Sequence, residues 1–462
     1  MHPGSGGRSD EARPGLGLLL LRNWNAAIGV VVCALLAMGV LGALGLWLAK
    51  ANTLPGDSFG SVLAATMLMA LGAPASVQGS AGFIASGSAG VAAMPLSLSL
   101  AGALVAGYAF LRPLRRRADQ NGQDRQDRQA AVQGRELLGR VLLTAALWAG
   151  AVALLAWAAR HSFVVSTGNS ITDQITGALG ASPTVGFRVD FGSAIGYGLL
   201  WLAVVLLLAF AVSRAAPLPA RLLRIQGAVR PPVSAMVVLL VGYVLVALVA
   251  GVVTAVVHGP ARDTFAVILL ALPNLAWLAF GLGLGATWHG HLNATIGLPM
   301  PKVLSEVLRS AGTQDRTVSL GTLAQQDGRV WWLPVLAGLA LLCCGIAMGR
   351  TGGRTTAWRH AVGLGLTTAL TMLLVGLLTR VSAAYGLSLL GVGGTGGISG
   401  LLGNLIGGTG IPKALTGSVT LIPDLLRGVL LGALWGALAG VIGGWIGAHL
   451  RRNPARPPVS AP

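Results

Sequence analysis

Two histidines, His289 and His291, stand one residue apart in the segment WHGHLNA and have the side-chain type and spacing of metal ligands. On a β-strand the two imidazoles would point to the same side, as neighbouring ligands of one ion do. A complete site needs further ligands, and no carboxylate or third histidine follows nearby in the sequence. The alternative is hydrogen bonding at a membrane interface, and we predict no metal centre.

Four aspartates, Asp57, Asp173, Asp263 and Asp424, lie beside apolar segments rather than inside them. A carboxylate in the middle of a membrane-crossing helix would mark a proton or cation pathway. At the edge of a crossing, an aspartate usually caps a helix N-terminus, where the helix dipole favours negative charge. We therefore predict capping for these residues, with cation binding or proton relay as the alternative.

The glycine-rich stretch GVGGTGGISGLLGNLIGGTG, at positions 391–410, is the most unusual segment. A phosphate-binding loop would continue into Gly-Lys-Ser or Gly-Lys-Thr between a strand and a helix, and this stretch does not. We interpret it as an outer connection, with a binding site in a broken membrane segment as the alternative. No catalytic-triad order, His-Glu-x-x-His motif or pair of carboxylates stands out elsewhere. The sequence thus predicts a protein without enzymatic activity, catalytic residues or cofactors.

The composition indicates what surrounds these residues. Hydrophobic residues make up 54% of the 462 residues and charged residues 10%, and the mean hydropathy is +0.74. A soluble domain carries about 25% charged residues, so this chain cannot cover a water-facing surface. The three cysteines lie in apolar segments, which predicts small buried side chains rather than disulfides. We therefore predict a polytopic membrane protein, whose first apolar segment is too long for a signal-peptide core.

The net charge is +18, from 32 basic and 14 acidic residues. Arginines cluster in short runs beside apolar segments, such as RPLRRR at 112–117, which is typical of loops on the cytoplasmic side of a membrane. We therefore expect the Arg clusters to face the cytoplasm and the anionic lipid headgroups of a bacterial plasma membrane, and we expect no nucleic-acid partner.

Eight apolar segments are predicted to be membrane-crossing helices, because each is close to the ~20 residues that a helix needs to span the hydrocarbon core. A backbone in lipid must satisfy its own hydrogen bonds, so the predicted fold class is an all-α polytopic membrane protein. The segments are 26–49, 90–111, 138–158, 193–212, 233–257, 333–349, 361–379 and 426–448.

The segment RDTFAVILLALPNLAWLAFGLGLG, from Arg262 to Gly285, is also apolar and long enough to cross. If it crosses, the basic segments 349–360 and 451–458 fall outside; if it does not, every basic segment and both termini are cytoplasmic. We therefore predict that residues 264–286 dip into the membrane and leave on the side of entry. The stretch at 58–74, SFGSVLAATMLMALGAP, is expected to be a similar re-entrant or interfacial segment.

These two ambiguous segments resemble each other. Both begin with Asp, then Ser or Thr, then Phe, at Asp57–Phe59 and Asp263–Phe265, and both follow a crossing by a few residues. The pattern predicts four hairpin-like units in one membrane domain of residues 23–455, each with a crossing, a Gly- and Ser-rich outer segment, a second crossing and a basic end. Chance alignment of low-complexity apolar sequence is the alternative. The units are 23–118, 135–230, 231–356 and 357–455, with cytoplasmic tails at 1–22 and 456–462.

Glycine, with 68 residues, is the clearest packing signal. Spacing of four residues places small side chains on one helix face, which lets another helix approach closely. The pattern predicts a tight helix interface, either within the chain or between copies in a homo-oligomer, with a substrate groove as the alternative. Such residues recur at Gly39 and Ala43, ahead of Trp47, and at Gly432, Gly436, Gly440 and Gly444.

Three segments carry a likeness to a known family. An Arg-bearing start leads into RNWNAAIGVVVCALLAMG at 22–39, followed by AATMLMALGAPASVQGSAGF at 64–83 and PLSLSLAGALVAGYAFLRPLRRR at 95–117. Their order and composition resemble the streptophobe family, very hydrophobic multi-pass membrane proteins of Streptomyces and relatives. The resemblance covers most of the chain and is strongest in the first 120 residues. It implies an actinobacterial membrane protein and supplies no activity, catalytic residue or binding residue.

Two functional hypotheses follow. The scarcity of charge within the crossings predicts a structural or accessory membrane protein that assembles with a partner or with itself. The repeated units and the Gly-interrupted outer segments favour the alternative, a transporter or permease for a small or lipophilic substrate. In either case residues 298–312, predicted to form a short amphipathic helix on the outer surface, would be a lid or packing element.

Overall fold

A computed structural model of the protein describes residues 16–53, 58–81, 85–120, 126–164, 183–213, 220–257, 261–292, 316–351, 357–389 and 416–452. We number the α-helices within these stretches in chain order. They are α1 Leu16–Leu48, α2 Phe59–Ala70, α3 Leu96–Gln120, α4 Gln126–Ala158, α5 Phe191–Val212, α6 Ala220–Val257, α7 Ala261–Gly283, α8 Leu320–Ala324, α9 Trp332–Thr351, α10 Ala357–Leu378 and α11 Leu425–Arg452. Two short 3₁₀ turns, Ala51–Thr53 and Gly328–Trp331, precede α2 and α9.

Eight of the described helices are long and apolar enough to cross a membrane, which confirms the predicted class of an all-α polytopic membrane protein. Seven of them coincide with predicted crossings. The eighth, Ala261–Gly283, belongs to the segment that we predicted to dip rather than cross. The eight spans are Trp24–Leu48, Leu137–Ala158, Phe191–Val212, Gln226–Val257, Ala261–Gly283, Gly328–Arg350, Trp358–Leu378 and Leu425–Leu450.

The remaining predicted crossing, 90–111, begins later in the structure. Residues up to Ala92 belong to a strand, and the apolar part of α3 is the shorter range Leu96–Arg112. Pro95 sets the start of the helix, because proline has no N–H to leave unpaired and its carbonyl accepts the first helical hydrogen bond, from the Leu98 N–H at 3.2 Å. The predicted start at residue 90 was therefore wrong.

A β-sheet joins the ends of the helices, which we had not predicted. Two of its strands, ASVQGSA and ASGSAGVA, are rich in Ala, Gly and Ser and lack the alternating β-branched and aromatic residues that indicate a strand. The strands are β1 Ala75–Ala81, β2 Ala85–Ala92, β3 His161–Val164, β4 Pro183–Arg188, β5 Trp288–Leu292, β6 Arg316–Val318, β7 Val381–Leu389 and β8 Thr416–Pro423. All neighbours are antiparallel in the order β3-β4-β1-β2-β7-β8-β5-β6.

The strands lie at one end of the helix bundle, because each strand directly follows or precedes a helix end. We call this end the sheet face. It contains the last residues of α2, α4, α7 and α10 and the first residues of α3, α5, α9 and α11. At the opposite end, which we call the basic face, lie Arg112, Arg350 and Arg359.

The described elements divide into two corresponding halves. We call residues 16–212 the first half and residues 220–452 the second half. The strand order β3-β4-β1-β2 of the first half recurs as β7-β8-β5-β6 in the second. Helix packing recurs as well, since α1 packs on α3 as α6 packs on α9, and α4 packs on α5 as α10 packs on α11. Each half covers most of two predicted hairpin-like units, although the unit 135–230 extends into α6 of the second half. The descent of all four units from one repeat stays a prediction.

The strand registers give this correspondence residue by residue. Ala75 opposes Val91 where β1 meets β2, and Trp288 opposes Val318 where β5 meets β6. In both halves the first strand starts three residues after a glycine that follows a helix. Two further registers fit the same alignment, His161–Phe187 with Val381–Leu421 and Ser76–Arg188 with His289–Ile422.

Candidate functional site

The two histidines of WHGHLNA lie on β5, and the His289 side chain is exposed. His289 is opposite Thr317 on β6 and Ile422 on β8, neither of which supplies an imidazole, thiolate or carboxylate. Among the described residues, no group of three or more His, Cys, Asp or Glu side chains is placed to hold a metal ion. The absence of a metal centre from the whole chain stays a prediction, and the side chain of His291 lies outside the description.

Helix capping is confirmed for Asp424. Its carboxylate accepts a hydrogen bond from the Arg427 N–H at 3.2 Å, at the start of α11. Asp263 lies in the first turn of α7, where the helix dipole favours a negative charge. Asp57 and Asp173 lie outside the described residues, as do the glycine-rich stretch 391–410 and the segment 298–312.

Asp190 also caps a helix and was not among the four aspartates predicted to do so. It precedes α5 at the position that corresponds to Asp424, and its carboxylate accepts from the Ser193 N–H at 2.8 Å. This hydrogen bond is the main cause that lowers the pKa of Asp190, and the nearby Arg160 guanidinium lowers it further. The guanidinium of Arg160 itself lies 3.9 Å from the centre of the Phe191 ring. An Asp three residues before a Ser at the start of an apolar segment is a signal that could have found this cap.

The glycine stripe of the last crossing forms a tight interface within the chain. A Cβ added at Gly440 of α11 would lie 2.5 Å from the His360 carbonyl oxygen on α10. A Cβ added at Gly443 would lie 2.7 Å from the backbone of Gly345 on α9. Helix α11 therefore lies between α9 and α10 with backbones in contact, as the spacing predicted. A homo-oligomer formed through such faces stays a prediction.

In α1 the close contacts involve other residues than the predicted Gly39, Ala43 and Trp47. Gly42 packs against α2 and α3 and Gly45 packs against α7, so that an added Cβ would lie 2.8–3.0 Å from leucine side chains. Trp47 is exposed, and the nearest atom to a Cβ at Gly39 would be a methionine sulfur at 3.9 Å. The predicted stripe was wrong because three helices reach α1 from different directions, and a spacing of four describes a single partner.

Two helices of the sheet face, α2 and α7, end in the same way. Each is followed by Leu-Gly-Ala, and the glycines have the left-handed φ angles of +98° at Gly72 and +88° at Gly285. The N–H of Ala73 donates to the Leu68 carbonyl at 3.1 Å, and the N–H of Ala286 donates to the Gly281 carbonyl at 3.0 Å. These are Schellman ends, which need a residue that tolerates positive φ. Each end redirects an apolar helix into a strand.

Both ends of α7 lie on the sheet face. At its start, Arg262 donates from Nε to the Leu48 carbonyl at 2.9 Å and from a terminal nitrogen to the Trp47 carbonyl at 3.0 Å, at the end of α1. That end of α1 lies beside the start of α3, where Gly42 contacts Leu98. At its other end α7 leads into β5. This placement supports a re-entrant segment, although length and composition alone would allow a crossing.

Pro273 and Asn274 lie inside the continuous helix α7, where it passes the start of α3. Proline removes one N–H from the helix, and the next side chain reaches across the bundle. The Asn274 side chain donates to the Met94 carbonyl at 2.8 Å and accepts from the Leu96 N–H at 3.0 Å. The Ser97 hydroxyl donates to the Ile268 carbonyl at 3.0 Å. A residue of the second half thus caps a helix of the first, satisfying a terminal N–H without a partner in its own helix.

Two buried donor groups beside α7 have no hydrogen-bond partner among the described residues. They are the Tyr243 hydroxyl on α6 and the Trp288 indole N–H on β5. The Tyr243 ring lies 5.1 Å from the Phe280 ring, measured between centroids, and the Trp288 indole covers Gly281. A buried donor without a partner costs about 1–3 kcal/mol, which a bound acceptor would recover.

The region around α7 therefore combines a proline-containing helix, an asparagine that caps α3 and two buried donors. Each of the two donors could form a hydrogen bond with an acceptor that reached it. Among its described residues we find no pairing of a nucleophile with a base and no set of metal ligands. Comparison of the chain with known protein families, with curated proteins and with solved structures found no match.

Proposed function

We propose that this chain is a structural or accessory component of a bacterial plasma membrane, without enzymatic activity or cofactor. In this proposal the helix bundle holds the eight-stranded sheet at the outer surface. The observation that carries the proposal is the backbone contact of α11 with both α9 and α10. A substrate path between these helices would need space along their facing surfaces, and the glycine faces instead bring the backbones into direct contact.

The distribution of charge supports a role without ion or proton coupling. Within the eight membrane-length spans, the acidic side chains are limited to Asp263, at the start of α7. A coupled carrier usually has ionisable side chains near the middle of the membrane. The basic residues of these spans lie close to the span ends, as Arg350 and Arg359 do on the basic face.

The same charges support an orientation and a lipid partner. In this proposal the basic face lies in the cytoplasm with both termini, and its Arg clusters bind anionic lipid headgroups rather than nucleic acid. The sheet face then lies outside the cell. Membership of the streptophobe family agrees with this assignment and is part of the proposal.

The test uses single cysteines in a chain whose native Cys33, Cys343 and Cys344 have been replaced. We expect a membrane-impermeant thiol reagent to label Gln326→Cys, which is exposed on the sheet face, in intact cells. We expect no labelling of Thr368→Cys, whose side chain is fully buried between α10 and α11. His449→Cys, exposed near the basic face, should be labelled only after the membrane is opened.

Labelling of the Thr368 position at a rate similar to Gln326 would show a water-filled path through the bundle and overturn the structural role. Leu370→Cys, on the opposite side of α10 and 54% exposed, is the matched control for a position that faces lipid. Labelling of His449 in intact cells would overturn the orientation alone.

Transport of a small or lipophilic substrate is the second candidate, and the unpartnered donors of Tyr243 and Trp288 favour it. Apolar membrane segments that contain a proline, as α7 does at Pro273, can line substrate sites. This candidate predicts that Tyr243→Cys reacts with a small thiol reagent from the sheet face. If Tyr243→Cys stays unreactive while Gln326→Cys reacts, the region is sealed and transport through it is contradicted.

A further inference from the structure

The two halves of the molecule are joined at one seam in the sheet. There β2 of the first half pairs with β7 of the second along Ala85–Ala92, with Gly90 opposite Ala384 and Val91 opposite Ala383. The seam is heterologous, because β2 and β7 occupy different positions in their two halves. In the alignment of the halves, β2 corresponds to β6 and β7 corresponds to β3.

The counterparts of the seam strands are the two edges of the sheet. Within the described residues β6 pairs only with β5, and β3 pairs only with β4. The edge strand β6 thus corresponds to β2, which pairs with β7 at the seam, and the edge strand β3 corresponds to β7. An unpaired edge presents backbone N–H and C=O groups that readily pair with another strand.

Helix packing shows that the halves do not close on each other. Across the seam, α7 packs on α1 and α3, and α5 packs on α6. Two halves related by a twofold axis would make each of these contacts twice. Among the described residues, α2 makes no comparably extensive contact with α6 or α9, and neither does α11 with α1. The halves are therefore arranged head to tail, which leaves one free surface at each end.

The free surface is visible on α6, the counterpart of α1. Helix α1 is covered by α7, where Leu270 meets Gly45. In the apolar 18-residue stretch of each span, 33% is buried in α1 and 11% in α6, the smallest share among the eight spans. The second half therefore leaves open the position that is filled in the first half.

We propose that copies of this chain assemble head to tail, with β6 of one copy paired antiparallel to β3 of the next. The register follows from the seam, where Gly90 pairs with Ala384. In the alignment of the halves, Gly90 corresponds to Thr317 and Ala384 corresponds to Val164. Thr317 of one copy then lies opposite Val164 of the next. A second copy is the occupant, because β3 holds the same position in the first half as β7, the strand that pairs with β2, holds in the second. The assembly applies equally to a structural protein and to a transporter, so it does not rest on the proposed function.

Cysteine cross-linking tests the register. Two differently tagged chains without native cysteines are co-expressed, one with Thr317→Cys and the other with Val164→Cys. Side chains directly opposite in an antiparallel pair have Cβ atoms about 4.5–5.5 Å apart, close enough for a disulfide. We expect mild oxidation in the membrane to give a product that carries both tags, at twice the mass of the 46.8 kDa chain.

The seam itself provides the matched control. Gly90→Cys together with Ala384→Cys in one chain should form a disulfide within that chain, and a Cβ at Gly90 meets no atom within 4 Å. A second control shifts the register by one residue, with Thr317→Cys in one chain and Phe163→Cys in the other. These side chains would point to opposite faces of the sheet, so the yield should fall several-fold.

Two outcomes would overturn the proposal. A disulfide that forms only when Thr317→Cys and Val164→Cys are in the same chain would mean that the sheet closes into a ring within one molecule. No disulfide in either arrangement, while the seam control links, would mean that the edges stay unpaired. Neither outcome changes the labelling of Thr368→Cys, so the two proposals fail separately.

Discussion

The two halves of the molecule arrange corresponding helices in the same order and pack them by different means. In the first half, the rings of Trp148 on α4 and Trp201 on α5 stack with their centroids 5.1 Å apart. In the second half, α10 and α11 approach until a Cβ at Gly440 would meet a carbonyl oxygen. Counting along the helices from the aligned strands, Trp201 corresponds to Trp435, whereas Trp148 corresponds to Thr368. The small Thr368 thus replaces the large Trp148 where ring stacking gives way to close backbone packing.

The difference shows that one arrangement of helices can be stabilised in two ways. The tryptophans keep α4 and α5 apart and also donate hydrogen bonds. Trp148 Nε1 donates to the Gly198 carbonyl of α5 at 3.0 Å, and Trp201 Nε1 donates to Ser99 Oγ of α3 at 2.8 Å. The glycine faces instead gain van der Waals contact between backbones. The first half should therefore be sensitive to loss of side-chain volume, and the second half to its addition.

The largest effect is expected from Trp148→Ala. The side chain is fully buried, and its removal leaves a cavity and ends both the ring stacking and the hydrogen bond to Gly198. We expect a loss of about 3–5 kcal/mol in the free energy of unfolding in detergent micelles. Thr368→Ala at the corresponding position should cost about 1 kcal/mol, since it removes one hydroxyl that bonds within its own helix. Equal losses would show that the halves do not differ in this respect.

Next in size is Gly440→Ala, which adds a single methyl group. The new Cβ would lie 2.5 Å from the His360 carbonyl oxygen and 2.9 Å from the Ala361 Cα, so the backbones must separate. We expect a loss of about 1–3 kcal/mol, measured by the same unfolding assay. Gly196→Ala in α5 is the control, because no atom lies within 4 Å of its Cβ and alanine favours a helix by about 1 kcal/mol. Stabilisation by both substitutions would contradict close backbone packing of α11.

These differences also explain which parts of the structure the sequence could predict. The helices followed from the length of apolar segments, a local property, and seven of the eight spans coincide with predictions. The glycine stripe of α11 was visible because its spacing lies within one helix. The sheet was not visible, since its central pair joins Ala85 to Leu389 and two of its strands, β1 and β2, consist mostly of small residues. Pairing over such a distance leaves no local pattern.

The candidate site shows the same limit. Asp190 carried a signal that could have been read, because Ser193, which it caps, lies three residues ahead. Asn274 carried none, since it caps α3 from the other half of the molecule. Pro273 was visible in the sequence but gave no indication of which helix its neighbour would reach.

A smaller effect, and one that the halves should share, is expected from replacing the glycines that end α2 and α7. Gly72→Ala and Gly285→Ala each place a Cβ on a residue with positive φ, which costs roughly 1–2 kcal/mol for an L residue. The thermal midpoint of each variant should fall by a similar amount. Gly60→Ala, inside α2 with no atom within 4 Å of the added Cβ, should not lower it. A midpoint unchanged for one of the two glycines would break the correspondence between the helix ends.

The smallest effect is the pH dependence contributed by Asp190. Its native pKa is lowered by the Ser193 N–H, so the ionised carboxylate favours the folded state at pH values above the unfolded pKa of about 4. This stabilisation is lost as the pH falls below 4 and protons bind to the carboxylate. Asp190→Asn should therefore flatten the decline in unfolding free energy between about pH 5 and pH 3. Ser193→Ala, which keeps the backbone N–H, should retain most of the decline, and a decline unchanged by Asp190→Asn would assign it to other carboxylates.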